Sequence, residues 1–159
     1  MDYEIERKFL VKTLPDLSGK TKQVFERYYL YRGKGVDVRI QKVDSTYEFE
    51  RKSEVSGLGR ETQKFEITKE EFEALKKKSG EGIIRDSYLM SENPEVTIKI
   101  YHGRFEGLLR VEVEFESEKA AQKFVPLDWM GKEITDTSLG RDSKLLDLST
   151  GEFKDLLSR

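Results

Sequence analysis

MDYEIERKFLV, residues 1–11, alternates polar and apolar side chains and is the stretch that decides the fold. As a β-strand it would carry Glu4, Glu6 and Lys8 on one face, because residues i, i+2 and i+4 of a strand share a face. These two carboxylates and one ammonium would lie within about 14 Å of each other. The row is either the wet surface of an open sheet or one wall of a site that binds phosphate and metal.

Composition narrows the class of protein. At 159 residues the chain is long enough for one core, and we predict a single domain over residues 1–159. Lys+Arg 29 against Asp+Glu 31 leave a net charge of only -2, which argues against a nucleic-acid partner. Cysteine is absent, so any metal must be held mainly by oxygen ligands.

The sequence also bears on location. The N-terminus is charged and strand-like, and no run of residues approaches the 18 apolar residues typical of a membrane span. Together with the lack of cysteine, this predicts a cytoplasmic protein without a membrane partner. Monomer and homodimer both stay open.

Period-two alternation in short runs, separated by turn signals, predicts one antiparallel β system. The predicted strands are residues 2–11, 23–32, 36–43, 46–54, 60–68, 82–90, 95–103 and 108–116. A loop, VSGLG at 55–59, joins the fourth and fifth. Thr68 and Glu71 have capping-box spacing for a helix that we expect to end at Gly80. Ser117 opens a second helix, and connecting turns with one or two short helices follow Trp129.

The charged residues are sorted onto one face of almost every strand. A solvated sheet face would explain this, but the sorting favours closure. We therefore predict a mainly β protein, an eight-stranded antiparallel closed barrel with a charged lumen and a few helices packed outside. A barrel of eight strands has room inside for side chains or one small ligand.

Two acidic pairs indicate the ligand. Glu4 with Glu6, and Glu112 with Glu114, repeat a carboxylate at i and i+2, and such neighbours repel unless a cation lies between them. Lys and Arg recur at the same inward parity on other strands and would suit a dense anion. A phosphate chain with Mg²⁺ or Mn²⁺ satisfies both observations, and the chemistry would be phosphoryl transfer.

Three motifs resemble those of the CYTH superfamily, the triphosphate tunnel metalloenzymes. They are EIERKF at 4–9, KSEVSGLGR at 52–60 and LLRVEVEFESEKAAQKFVPLDWMGKEIT at 108–135. The resemblance covers nearly the whole chain. It implies an eight-stranded tunnel that acts on triphosphates with a divalent cation.

The resemblance also implies roles for individual residues. Glu112 and Glu114 would bind the metal, while Glu4 and Glu6 would hold a second metal or orient the attacking water. Lys8 would share in catalysis. The implied phosphate ligands are Lys8, Arg39, Lys52, Arg60 and Arg85.

The chain departs from the family pattern in its cations and acids. Gln41 stands where a second arginine is usual, Thr62 and Lys64 replace inward acids, and Ser87 replaces a basic residue. We expect Lys64 to face Glu50 across the strands. These departures predict an anion site with fewer cations free to bind phosphate.

The leading prediction is a metal-dependent triphosphatase that acts on inorganic tripolyphosphate and releases orthophosphate. The alternatives are a phosphate-chain or nucleotide binding module without turnover, a class IV adenylyl cyclase, and a thiamine triphosphatase.

Overall fold

The computed structural model describes residues 2–55 and 59–159, so residues 56–58 of the predicted 55–59 loop lie outside the described residues. The β-strands are β1 Asp2–Val11, β2 Lys22–Gly33, β3 Val36–Val43, β4 Thr46–Glu54, β5 Gly59–Ile67, β6 Ile83–Glu92, β7 Glu95–Tyr101, β8 Leu109–Phe115 and β9 Met130–Glu133. The α-helices are α1 Lys69–Lys76, α2 Glu118–Lys123, α3 Asp142–Leu145 and α4 Thr150–Ser158.

Eight strands form a closed antiparallel ring. Their hydrogen-bonded order is β5-β4-β3-β2-β6-β7-β8-β1, and β5 pairs back onto β1. The closing register runs from Asp2 opposite Thr62 to Ile5 opposite Gly59. The predicted eight-stranded antiparallel closed barrel is therefore confirmed.

The ninth strand, β9, was not predicted. It pairs with the second half of β1, at Phe9 and Val11, beyond the point where β5 leaves that strand. Its four residues, MGKE, are too short for a period-two signal. Pairing with an edge that β5 leaves open, rather than local pattern, makes this segment a strand.

The barrel reverses the usual placement of polar and apolar residues. Ile5 and Phe9 of β1 face outward and are buried in an apolar cluster with Val111 and Val113 of β8. Helix α2 lies against these two strands, and α1 lies against β3 and β4. The outer face thus holds the hydrophobic core, and the alternate residues point into the lumen.

The predicted starts of the first two helices are confirmed. Thr68 accepts a hydrogen bond from the Glu71 amide and Glu71 caps in return, and Ser117 caps α2 through the Ala120 amide. The predicted end at Gly80 is wrong, because α1 ends at Lys76 and the amide of its C-cap residue, Lys77, bonds back to Glu73 and Leu75. Within the described ranges, no helix has the length and apolar character needed to cross a membrane.

Candidate functional site

The lumen contains a cavity of about 290 Å³ that is lined by side chains from all eight strands of the ring. Every residue predicted to act in the site borders it. These residues are Glu4, Glu6, Lys8, Arg39, Lys52, Arg60, Arg85, Glu112 and Glu114. They converge because each occupies an inward position of its strand. Their individual roles stay predictions.

Carboxylates gather where β1, β7 and β8 meet. Glu114 lies directly opposite Glu6 on β1 and opposite Glu95 on β7. Burial, with the negative charges of Glu4, Glu6 and Glu95, raises the pKa of Glu114 to about 7. We call these four residues the acidic cluster. The neighbouring carboxylates thus oppose ionisation of Glu114, and a cation among them would favour it.

A divalent cation fits this cluster chemically. No three His, Asp or Glu side chains in the described parts of the chain are already arranged as a metal site. Carboxylate oxygens are nevertheless the ligands that Mg²⁺ and Mn²⁺ prefer, and a cation would relieve the repulsion that raises the pKa of Glu114. Glu112 is engaged differently, since it accepts hydrogen bonds from Arg110 Nε at 3.1 Å and Nη2 at 2.7 Å.

Four of the predicted phosphate ligands already have hydrogen-bonded carboxylate partners, and that of Arg85 is Asp142. Arg39 donates from Nε to Glu50 at 2.6 Å. Lys52 donates to Glu4, and Arg60 Nη2 lies 3.1 Å from Asp37 Oδ2. Burial disfavours ionised Glu50, but Arg39 and Lys52 hold its pKa well below the usual range. These cations are thus held in place by the protein's own acids.

The expected Glu50–Lys64 pair does not form. The two residues are direct neighbours across β4 and β5, as predicted. Lys64 Nζ instead lies 3.9 Å from Glu48 Oε2, because Glu50 is taken by Arg39 on its other side. Register could be predicted from sequence, whereas the choice between two neighbouring cations could not.

Two lysines in the cavity are only weakly paired. Lys8 Nζ is 3.7 Å from Glu6, and Lys99 Nζ is 3.8 Å from Glu112. Burial lowers the pKa of Lys8 to about 8, although Glu112 and Glu6 oppose the change. Burial, together with nearby Arg85, lowers the pKa of Lys99 to about 7. An anion in the cavity would favour the charged form of both.

Sequence reasoning missed Arg27 and Asp142. Arg27 donates to Gln41 Oε1 from Nε at 2.9 Å and from Nη2 at 2.6 Å, and its Nη1 lies 2.8 Å from Asp142. Gln41, which we interpreted from the sequence as the loss of a cation, therefore positions a different cation, Arg27. Arg27 alternates along β2 with outward residues, as Phe25 and Tyr29 do, so the period of two could have placed it inside the barrel. Asp142 belongs to a segment without periodicity, so no such signal existed.

Comparison with known proteins identifies relatives of this chain. No family model matches the chain. The inorganic triphosphatase of Nitrosomonas europaea is 32% identical over 136 residues, which cover 84% of this chain and 89% of that protein. A crystal structure of an inorganic triphosphatase matches with 30% identity and a TM-score of 0.66 over 91% of this chain and 95% of its own.

The chain belongs to the CYTH superfamily. The predicted membership of this superfamily is therefore confirmed. The CYTH fold extends to more distant structures. A Bacillus halodurans protein described as a candidate adenylate cyclase matches with 17% identity and a TM-score of 0.56, over 77% of this chain and 86% of its own, which shows a shared fold alone.

Proposed function

We propose that this CYTH protein is a divalent-metal-dependent triphosphatase that hydrolyses inorganic tripolyphosphate and releases orthophosphate. The observation that carries the proposal is the enclosed cavity in which four clustered carboxylates adjoin buried arginines and lysines. A metal and a phosphate chain together match that charge pattern. The 32% identity to an inorganic triphosphatase supports the substrate class.

Phosphate binding falls first to the cations with spare hydrogen-bonding capacity. Lys8 and Lys99 have partners only at 3.7 and 3.8 Å, and Arg85 Nη1 is buried without a hydrogen-bond partner. Arg39, Lys52 and Arg60 would share their carboxylate partners with the phosphate oxygens. Charge-assisted hydrogen bonds from guanidinium and ammonium groups stabilise the charge on these oxygens as the P–O bond breaks.

The acidic side chains would serve the metal and the water. Glu112 and Glu114, with Glu4 and Glu6, would hold Mg²⁺ or Mn²⁺. When bound, the ion neutralises phosphate oxygens and so lowers the barrier to attack. Glu4 or Glu6 would accept a hydrogen bond from a water molecule and orient it toward phosphorus. Lys8, opposite Glu112 in the register, places its ammonium beside these carboxylates.

The test is phosphate release by purified protein with Mg²⁺, Mn²⁺ or Ca²⁺ from tripolyphosphate, thiamine triphosphate and ATP. We expect release from tripolyphosphate above the other two, and its loss in Glu112→Ala protein that still folds. No release from any substrate with any of the three ions would overturn the proposal. Measuring cyclic AMP in the ATP reactions decides whether the class IV cyclase alternative applies.

One observation favours a second candidate, a phosphate-chain binding module without turnover. Arg39, Lys52 and Arg60 each have an acidic partner, so fewer cations are free to stabilise a transition state. Tight binding of tripolyphosphate without any phosphate release would support it. Cytoplasmic location and the choice between monomer and homodimer stay predictions.

A further inference from the structure

Asp142, the first residue of α3, is a carboxylate buried against the wall of the tunnel. Its side chain is 1% exposed and accepts hydrogen bonds from four strands of the ring. The donors are Arg27 Nη1 at 2.8 Å, Arg85 Nε at 3.1 Å, Arg110 Nη2 at 3.1 Å and Tyr101 Oη at 2.5 Å. Burial opposes ionisation, but the three arginines hold the pKa of Asp142 well below its usual range. It is a fixed negative charge beside the proposed phosphate site.

The charge around Asp142 is not balanced. Three guanidinium groups surround this one carboxylate, and of the three Arg110 is also paired with Glu112. Arg85 is 2% exposed, and its Nη1 has no hydrogen-bond partner. Buried N–H groups are nearly always satisfied, so an unpaired guanidinium nitrogen in a cavity wall marks a position where an anion binds.

Asp142 and Glu114 lie toward different ends of the cavity. Arg110, bound to Asp142, and Glu114 are four residues apart on β8, which is about 13 Å of strand. Glu114 and Glu95 also border a surface groove of about 910 Å³, so the acidic end adjoins solvent. A phosphate chain entering past Glu114 would pass Lys8 and Lys99 and then reach Arg85 and the charge of Asp142.

We propose that Asp142 is a positioning and specificity-determining residue that limits the tunnel to short phosphate chains. It holds Arg27, Arg85 and Arg110 as a binding layer for the innermost phosphate group, and its own charge repels any phosphate beyond that layer. The inference rests on the proposed function for its substrate class. It adds a preference for linear polyphosphates of three phosphate groups over those of four or more.

A neighbouring cavity is an alternative path for a longer phosphate chain. It has a volume of about 330 Å³ and shares Asp37, Arg60, Arg141 and Ser143 with the tunnel. Asp147 lines it but not the tunnel, and is paired with Arg32 at 2.6 Å. A longer phosphate chain that threads through this cavity would pass Asp147 instead of ending at Asp142. Asp147→Asn is therefore the matched control for Asp142→Asn.

Binding measured by calorimetry in EDTA tests the inference without turnover, with pyrophosphate, tripolyphosphate and tetrapolyphosphate as probes. For the unmodified protein we expect affinity to rise from two to three phosphates and not from three to four. In Asp142→Asn protein the ratio of tetrapolyphosphate to tripolyphosphate affinity should rise at least tenfold. Asp147→Asn should leave this ratio unchanged, and Asp142→Glu, which restores the charge, should restore the discrimination.

Several results would overturn the inference. They are tenfold tighter binding of tetrapolyphosphate than of tripolyphosphate by the unmodified protein, a ratio that does not change in folded Asp142→Asn protein, and a ratio that changes in Asp147→Asn instead. The first needs no variant and so stands even where Asp142→Asn does not fold.

Steady-state kinetics separate this inference from the proposed function. If the proposed function holds, KM and kcat for tripolyphosphate should both fall in Asp142→Asn protein, because the arginines gain net charge but lose their positioning partner. A merely structural role would leave KM unchanged and thereby contradict the inference. If the unmodified protein binds tripolyphosphate with the expected length preference but releases no phosphate, the proposed function fails and the length limit stands.

Discussion

Glu6 and Glu114 are direct cross-strand neighbours whose carboxylates border the same cavity. Like charges placed opposite each other in a sheet are destabilising, so this pair costs free energy unless a cation offsets it. Lys8 and Glu112 are the next inward pair along the same two strands, so two proposed metal ligands and a proposed phosphate ligand adjoin the Glu6–Glu114 pair.

The first prediction concerns metal binding at this pair. Glu114→Gln removes one charge from the acidic cluster while keeping its shape, and should weaken Mn²⁺ binding at least tenfold, a loss of about 1.4 kcal/mol. Titration of Mn²⁺ by electron paramagnetic resonance measures this directly. Glu73→Gln, on the exposed side of α1, is the control and should bind Mn²⁺ normally. Equal affinity in both variants would show that Glu114 is not a ligand.

The second prediction follows from the pKa of Glu114, which is about 7 rather than the usual 4.5. The raised pKa means that the folded state binds a proton that the unfolded state has released, so ionised Glu114 destabilises the fold. That penalty is fully present above pH 7 and disappears as pH falls toward the unfolded value. In EDTA, Glu114→Gln should therefore raise the melting temperature at pH 8 and raise it much less at pH 5. A shift of the same size at both pH values would contradict this assignment.

The third prediction concerns the buried pair of Arg39 and Glu50, whose side chains are each 5% exposed. Removing one partner leaves an uncompensated buried charge, so Glu50→Ala should cost about 3–5 kcal/mol of unfolding free energy. Urea denaturation measures the loss. Asp155→Ala, which breaks the exposed pair with Arg159, should change stability by less than about 0.5 kcal/mol.

If the uncompensated charge is the cause, replacing both partners by apolar residues should recover part of the lost stability. Arg39→Met combined with Glu50→Leu is the appropriate double variant. A double variant less stable than Glu50→Ala would show that packing, and not charge, dominates at this site.

The fourth prediction separates structure from function within the EIERKF motif. Arg7 points outward, where it pairs with Glu133 of β9 at 2.8 Å and donates to the Ala121 and Phe124 carbonyls at 2.8 and 3.1 Å. Arg7→Lys keeps the charge but not this geometry, and should cost about 1–3 kcal/mol of stability. The KM for tripolyphosphate should stay within about twofold, since Arg7 does not border the cavity. A large change in KM would contradict a purely structural role.

The alternation of inward and outward residues along each strand explains why the positions of the site could be predicted from sequence. Glu4, Glu6 and Lys8 alternate with Ile5 and Phe9, and the period of two fixes which side chains share a face. Closure of the ring then brings residues from eight strands together without further information. The hydrogen-bond partners within the cavity could not be predicted from sequence, because each guanidinium or carboxylate group has several oppositely charged neighbours at similar distances.

By itself, the sequence determined the eight strands of the ring, their antiparallel arrangement, the capped starts of two helices and the family. These features depend on local periodicity and on short motifs, which are written in consecutive residues. Only the tertiary structure decided that β9 extends β1, that Arg39 rather than Lys64 pairs with Glu50, and that Asp142 binds three arginines. Asp142 and Arg27 are 115 residues apart in sequence, and no periodicity connects residues that only folding brings together.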